Sequence, residues 1–181
     1  IRCGWGPWPG VTAHLLAETR VFPVASPAFL AAHKVTAPAD LAQLPLIRDD
    51  PKDVWEDWFR AAGLERAIRV AGPVLKGHLA VAAAEAGQGM VLVDQIAAAD
   101  ALIAGRLVKP FDIDVPCRSY FLVHAEGARE TKARSQFRTW IESEMASTAK
   151  ALEIWNRRRT QNSTSALATT KRTAKRTRHG A

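Results

Sequence analysis

His14, His33, His78 and His124, Cys3 and Cys117, and the carboxylates Asp49, Asp50 and Asp53 are the side chains with the chemistry to cut, transfer or ligate. The histidines fall at no metal-ligand spacing, and two cysteines are too few for a thiolate zinc site or a disulfide framework. No Gly-x-Ser-x-Gly or Cys/His arrangement supplies an activated nucleophile. The three aspartates lie in a loop and ahead of a helix, whose positive N-terminus favours acids, so capping and solvation account for them. Gly87-Gln88-Gly89 follows a helix instead of opening one and lacks the third glycine of a dinucleotide loop. The expectation is no catalytic residue, no metal and no cofactor.

Binding is better served. Gly77 and His78 stand between an extended run and an Ala-rich helix, where exposed N–H groups and the helix dipole suit an anion, and Lys76 adds a positive charge. The alternative is a plain strand-to-helix turn with His78 on the surface. The loop from Gly4 to Gly10 carries Trp5 and Trp8, apolar platforms that either wall a cleft or pack on the surface. Ser26 has a hydroxyl to offer a ligand, or to cap the helix that Pro27 opens.

The elements that must hold these residues alternate. Val21 to Ser26 reads as a strand ending in a turn, followed by a short helix through Ala32. Pro38 to Ala42 is a helical turn, Leu46-Ile47-Arg48 a buried strand, and Asp53 to Ala62 an amphipathic helix ended by Gly63. Val70 to Lys76 is a strand, Leu79 to Ala86 a helix, and Met90 to Val93 a continuous apolar strand. A helix over Gln95 to Ile103, strands at Leu107-Val108 and Tyr120 to Val123, and a helix from Thr131 through Met145 complete the series. Strands alternating with helices, with unbroken apolar runs, predict an α/β fold with a mainly parallel sheet covered on both faces.

The charge is unevenly placed. The 181 residues carry a net +7, yet no acid follows Glu153, and Arg157, Arg158, Arg159, Lys171, Arg172, Lys175, Arg176 and Arg178 contribute eight positive charges. Removing those eight from +7 leaves about −1 for residues 1–153, so the basic character belongs to the tail. Residues 156–181 mix Ser, Thr, Asn and Gln with Lys and Arg, a composition expected to be disordered. Lys171, Arg172, Lys175, Arg176 and Arg178 are the candidates for non-specific nucleic-acid contact. No apolar run reaches the roughly 18 residues that span a bilayer, which excludes a membrane protein. Ile1 opens in mid-structure with no signal-peptide pattern, as in a piece of a longer chain.

Ile1-Arg2-Cys3-Gly4 with Trp8-Pro9-Gly10, Val21 to Leu30, Leu41 to Leu46, Trp55 to Trp58, Ala61 to Leu64, Ala84 to Met90, Ala104 to Phe111 and Phe137 to Ile141 occur in an order that resembles the LysR-type transcriptional regulators. They are closest to the branch resembling the glycine-cleavage activator. The resemblance covers residues 1–146. It implies a type 2 periplasmic-binding-protein fold with two Rossmann-like lobes, the first incomplete (1–23 and 121–146) and the second spanning 24–120. Residues 147–181 form a helix extension and basic tail without counterpart. It further implies a cytoplasmic regulator, homo-oligomeric when intact, that binds a small effector such as a carboxylate between its lobes at Gly4, Trp5, Ser26, Lys76, Gly77 and His78. Specific DNA recognition is then the task of a helix-turn-helix that this sequence does not contain. A nucleic-acid-associated protein acting through its tail and a solute-binding protein are the competing readings.

Overall fold

The computed structural model describes residues 1–48, 54–64 and 72–177, with residues 162–177 as backbone only. Asp49, Asp50, Asp53, Arg178 and the first residues of the Val70–Lys76 segment lie outside the described residues.

Among the described residues, two sheets are built from seven strands. The first is three-stranded, with β1 (Arg2–Gly4) and β2 (Val11–Ala17) on either side of β7 (Ser119–Ala125), both antiparallel to it. The second is four-stranded, in the order β4 (Leu46–Ile47), β5 (Met90–Asp94), β3 (Arg20–Val24), β6 (Val115–Pro116). β3 runs antiparallel to both β5 and β6, while β4–β5 is parallel, the one parallel strand pair among the described residues, with a further parallel bridge from Arg48 to Val74. The expected mainly parallel sheet is therefore corrected. Apolar runs identify strands buried on both faces, but relative direction is set by hydrogen bonds between segments about seventy residues apart, to which local pattern is blind.

Helices cover both faces of the second sheet. On one face α1 (Pro27–His33) and α2 (Val54–Ala61) bring Phe29, Trp55, Trp58 and Phe59 against Val21, Leu46, Met90 and Leu92. Trp58 is wholly buried among Trp55, Phe59 and Phe111, and its indole N–H donates to the Ile113 carbonyl at 3.0 Å. On the other face α3 (His78–Glu85) and α4 (Ala99–Ile103) place small alanines and Leu102 against Phe22, Val24, Val91 and Val93.

α4 is shorter than the expected helix over Gln95 to Ile103. The Asp94 carboxylate accepts from the N–H groups of Ile96 and Ala97, both at 2.9 Å, which holds those residues in a turn. Leu107-Val108 forms an isolated bridge to Ala25 instead of a strand.

Where disorder was expected over residues 156–181, α5 (Lys132–Thr177) runs as helix through Thr177. No Gly or Pro occurs between Ala128 and His179, so nothing in the chain stops the helix once started. Tertiary contacts sustain it past the first sheet: Leu152 is buried in the cluster containing Phe22 and Leu102, and Trp155 packs beside it. The helix thus bridges the two sheets.

Candidate functional site

The chain passes between the sheets twice, and those two passages form the best-organised polar region of the molecule. The first runs from Ala17 through Glu18 and Thr19 to Arg20, and the second from Pro116 through Cys117 and Arg118 to Ser119. They are tied to each other: the Cys117 N–H donates to the Thr19 carbonyl at 2.9 Å, and the Thr19 hydroxyl donates to the Arg118 carbonyl. Gln95, the first residue beyond β5, clasps the first passage. Its amide NH2 donates to the Glu18 carbonyl and its amide oxygen accepts from the Arg20 N–H, each at 2.9 Å. The Tyr120 hydroxyl donates to the second carboxylate oxygen of Asp94 at 3.1 Å, joining the first sheet to the end of β5.

Beside this clasp Asp114 receives two cations, the guanidinium of Arg20 and the ammonium of Lys109, the latter at 3.3 Å. Lys109 is buried, with its charge 4.5 Å from the Phe22 ring centre. Partial burial pushes the Asp114 carboxyl up, but the Arg20 hydrogen bond and the Lys109 charge outweigh it and hold the group below the usual carboxylate range. A cavity of about 210 Å³ opens here between Arg20, Gln95, Lys109, Asp114, Trp155 and Asn156. A larger one, of about 450 Å³, lies between Leu15–Glu18 and the α5 residues Glu142 to Asn156.

The residues singled out from sequence sit elsewhere and line neither cavity. Gly4 is buried at the end of β1, and a Cβ added there would stand 2.5 Å from the Trp8 ring, so Gly4 makes room for Trp8. Trp8 in turn meets the Phe121 ring edge-on at 5.3 Å and carries the Arg2 guanidinium over its face at 4.1 Å. Trp5, at 70% exposure, is the available platform of that loop. Ser26 is buried, and its hydroxyl oxygen accepts from the Phe29 N–H at 3.3 Å, which is the capping role.

Lys76, Gly77 and His78 form one exposed turn. Gly77 has φ of 55° and ψ of −127°, a conformation that side chains resist, and α3 starts from it without a side-chain cap. Of the basic tail candidates, Lys171, Arg172, Lys175 and Arg176 are positions on α5.

Sequence reading missed the clasp of Asp94, Gln95, Thr19 and Tyr120. One signal was present: two polar residues directly after the apolar run of β5, at the carboxyl end of a strand, where ligands of open α/β sheets gather.

Residues 1–146 match the family described as the LysR substrate binding domain. The chain is 37% identical over 142 residues to the HTH-type transcriptional activator AmpR of Citrobacter koseri, a match covering 78% of the chain and 48% of that protein. Over 144 residues it is 33% identical to the glycine cleavage system transcriptional activator of Escherichia coli K12, covering 78% and 47%. The solved effector domain of the transcriptional regulator AmpR of Pseudomonas aeruginosa superposes with a TM-score of 0.71 at 33% identity, covering 82% of the chain and 72% of the domain. The chain spans about half the length of these curated relatives.

Proposed function

The chain belongs to the LysR substrate-binding-domain family, and from that membership we propose that it is the effector-sensing part of a bacterial transcriptional regulator. Its relatives are transcriptional activators, and the domain is regulatory, not an enzyme. The ligand is a small metabolite bearing a carboxylate. Its anionic end lies against the Lys76–His78 turn, where Lys76 brings a positive charge and the start of α3 the positive end of the helix dipole, the N–H groups of Leu79, Ala80 and Val81 being already bonded to the Lys76 and Gly77 carbonyls. Trp5, exposed on the loop between β1 and β2, offers an apolar wall.

The observation that carries the reading is the pair of clasped passages joining two sheets. A ligand that touches both sheets binds one of their relative orientations better than another, and that difference in affinity shifts the population. In the intact regulator the shift propagates through a homo-oligomer to a DNA reader outside these 181 residues.

Calorimetric titration with amino acids and small mono- and dicarboxylates tests the site. Gly77→Pro cannot hold the positive φ of 55° from which α3 starts, so it displaces that helix end and weakens carboxylate binding by roughly tenfold. His78→Ala loses one hydrogen bond, about 1 kcal/mol or fivefold. A Gly77→Pro protein that is folded by circular dichroism and binds as tightly as its parent moves the effector to the Trp5 loop.

A further inference from the structure

Helix α5 continues past Ala146, where the family match ends, through to Thr177, and tertiary contacts orient this part. Leu152 and Trp155 pack on the α3–α4 face of the second sheet, and Arg159 pairs with Asp112 while lying over the Trp155 ring at 5.6 Å. These three fix which side of the helix faces inward.

The remaining basic positions fall on the other side. At ~3.6 residues per turn, positions 157 and 175 share a face, as do 158 and 176, each pair five turns apart. Positions 171 and 172 trail Arg157 and Arg158 by about 40° after four turns. The positions of six cations, Arg157, Arg158, Lys171, Arg172, Lys175 and Arg176, therefore occupy an arc of about 140°, centred about 160° from the Leu152–Trp155–Arg159 side. Arg157 and Arg158 are exposed, as this register requires. Arg157 also meets Glu153 at 3.5 Å, an exposed i,i+4 pair that a polyanion can outcompete, and no acid follows Glu153 in the sequence.

We propose that this stripe, about 28 Å long at ~1.5 Å rise per residue, is a docking surface for the phosphate backbone of double-stranded nucleic acid, independent of base sequence. A duplex is favoured over an anionic membrane by the same register. An interfacial helix needs a broad apolar face, and between Gln161 and Thr177 the only residue larger than Ala that is apolar is Leu167. The stripe stands apart from the effector turn, on an element outside the family match, so the proposal holds or falls separately from the effector reading.

The test is fluorescence anisotropy with the full 181-residue chain and a labelled duplex of random sequence, titrated over a range of salt. Six phosphate contacts give a slope of log K against log salt of about −5, at roughly 0.9 per contact. Neutralising Lys171, Arg172, Lys175 and Arg176 to Gln reduces the slope to about −2, whereas neutralising the exposed Arg60, Arg106, Arg129 and Lys132 leaves it within one unit of the parent. Ala174→Pro keeps every charge but interrupts the helix, and is expected to weaken binding several-fold. Equal affinity for Ala174→Pro overturns the helical stripe, and equal loss from both sets of neutralisations overturns its location. Binding to anionic vesicles without binding to the duplex overturns the choice of partner.

Discussion

The two sheets are made of similar residues and end in very different environments. The four-stranded sheet is enclosed by α1 and α2 on one face and by α3, α4 and the middle of α5 on the other, and both buried clusters belong to it. The three-stranded sheet leans on α5. Most of β2 and β7 is half-buried, Leu122 is the one strand side chain there under a tenth exposed among the described residues, and Leu15 is 53% exposed. The difference teaches that strand pairing alone does not make a core. A sheet becomes a core when both faces meet another layer, and the apolar area then removed from water is the main source of stability.

The comparison breaks most visibly at the largest buried ring. Trp58→Ala should destabilise by about 4 kcal/mol, because it empties a ring cluster and leaves the Ile113 carbonyl without its donor. Leu122→Ala should cost about 2 kcal/mol, at the low end for a leucine, because it belongs to neither buried cluster. Urea denaturation followed by tryptophan fluorescence reads both, and equal losses would show that the two sheets are not distinct in stability.

An intermediate effect tests the bridge between them. Leu152→Ala should cost about 2 to 3 kcal/mol, and hydrogen exchange should quicken in α3 and α4 as well as in α5, since Leu152 belongs to their cluster. Faster exchange confined to α5 would mean that the helix lies on the second sheet without supporting it.

The smallest effect is the pH response of the passage region. The folded Asp114 carboxyl sits below its unfolded value of about 3.9, so the unfolded chain takes up its proton first as pH falls. The stabilisation is therefore complete well above pH 4 and is lost as the pH drops through the lowered folded value. Asp114→Asn should flatten that limb of a plot of unfolding midpoint against pH between 6 and 3, and an unaltered acid limb would place the dependence elsewhere. Asp40, which accepts from the Thr36 and Ala37 N–H groups, is lowered by those bonds and titrates in the same direction.

Local grammar was readable where neighbours in sequence are neighbours in space. Ser26 and Pro27 announce the cap and first turn of α1, Gly63 ends α2 at a positive φ, and Gly77 marks the start of α3. The ordered family segments pointed to the LysR type before any coordinates, because they occur in order from one end of residues 1–146 to the other. β2 was not legible. Its residues Val11 to Ala17 alternate without a clean polar face, and neither face of the strand is fully buried. Of the candidate site, the Lys76–His78 turn could be read from its glycine, whereas the Gln95 clasp joins Glu18 and Arg20 to a residue more than seventy positions away.

What the sequence determined by itself was therefore element type, the caps and turns, the family, and the concentration of positive charge after Glu153. These depend on residue identity within a few positions, where backbone sterics and short-range hydrogen bonds act. Strand direction, the tie between the two passages, and the continuation of α5 across the second sheet were decided only in three dimensions. Composition described residues 156–181 as a disordered tail. Burial of Leu152 and packing of Trp155 hold the helix that enters that segment, and a chain without Gly or Pro carries it onward. Helix propagation needs only one further hydrogen bond per residue once such an anchor exists.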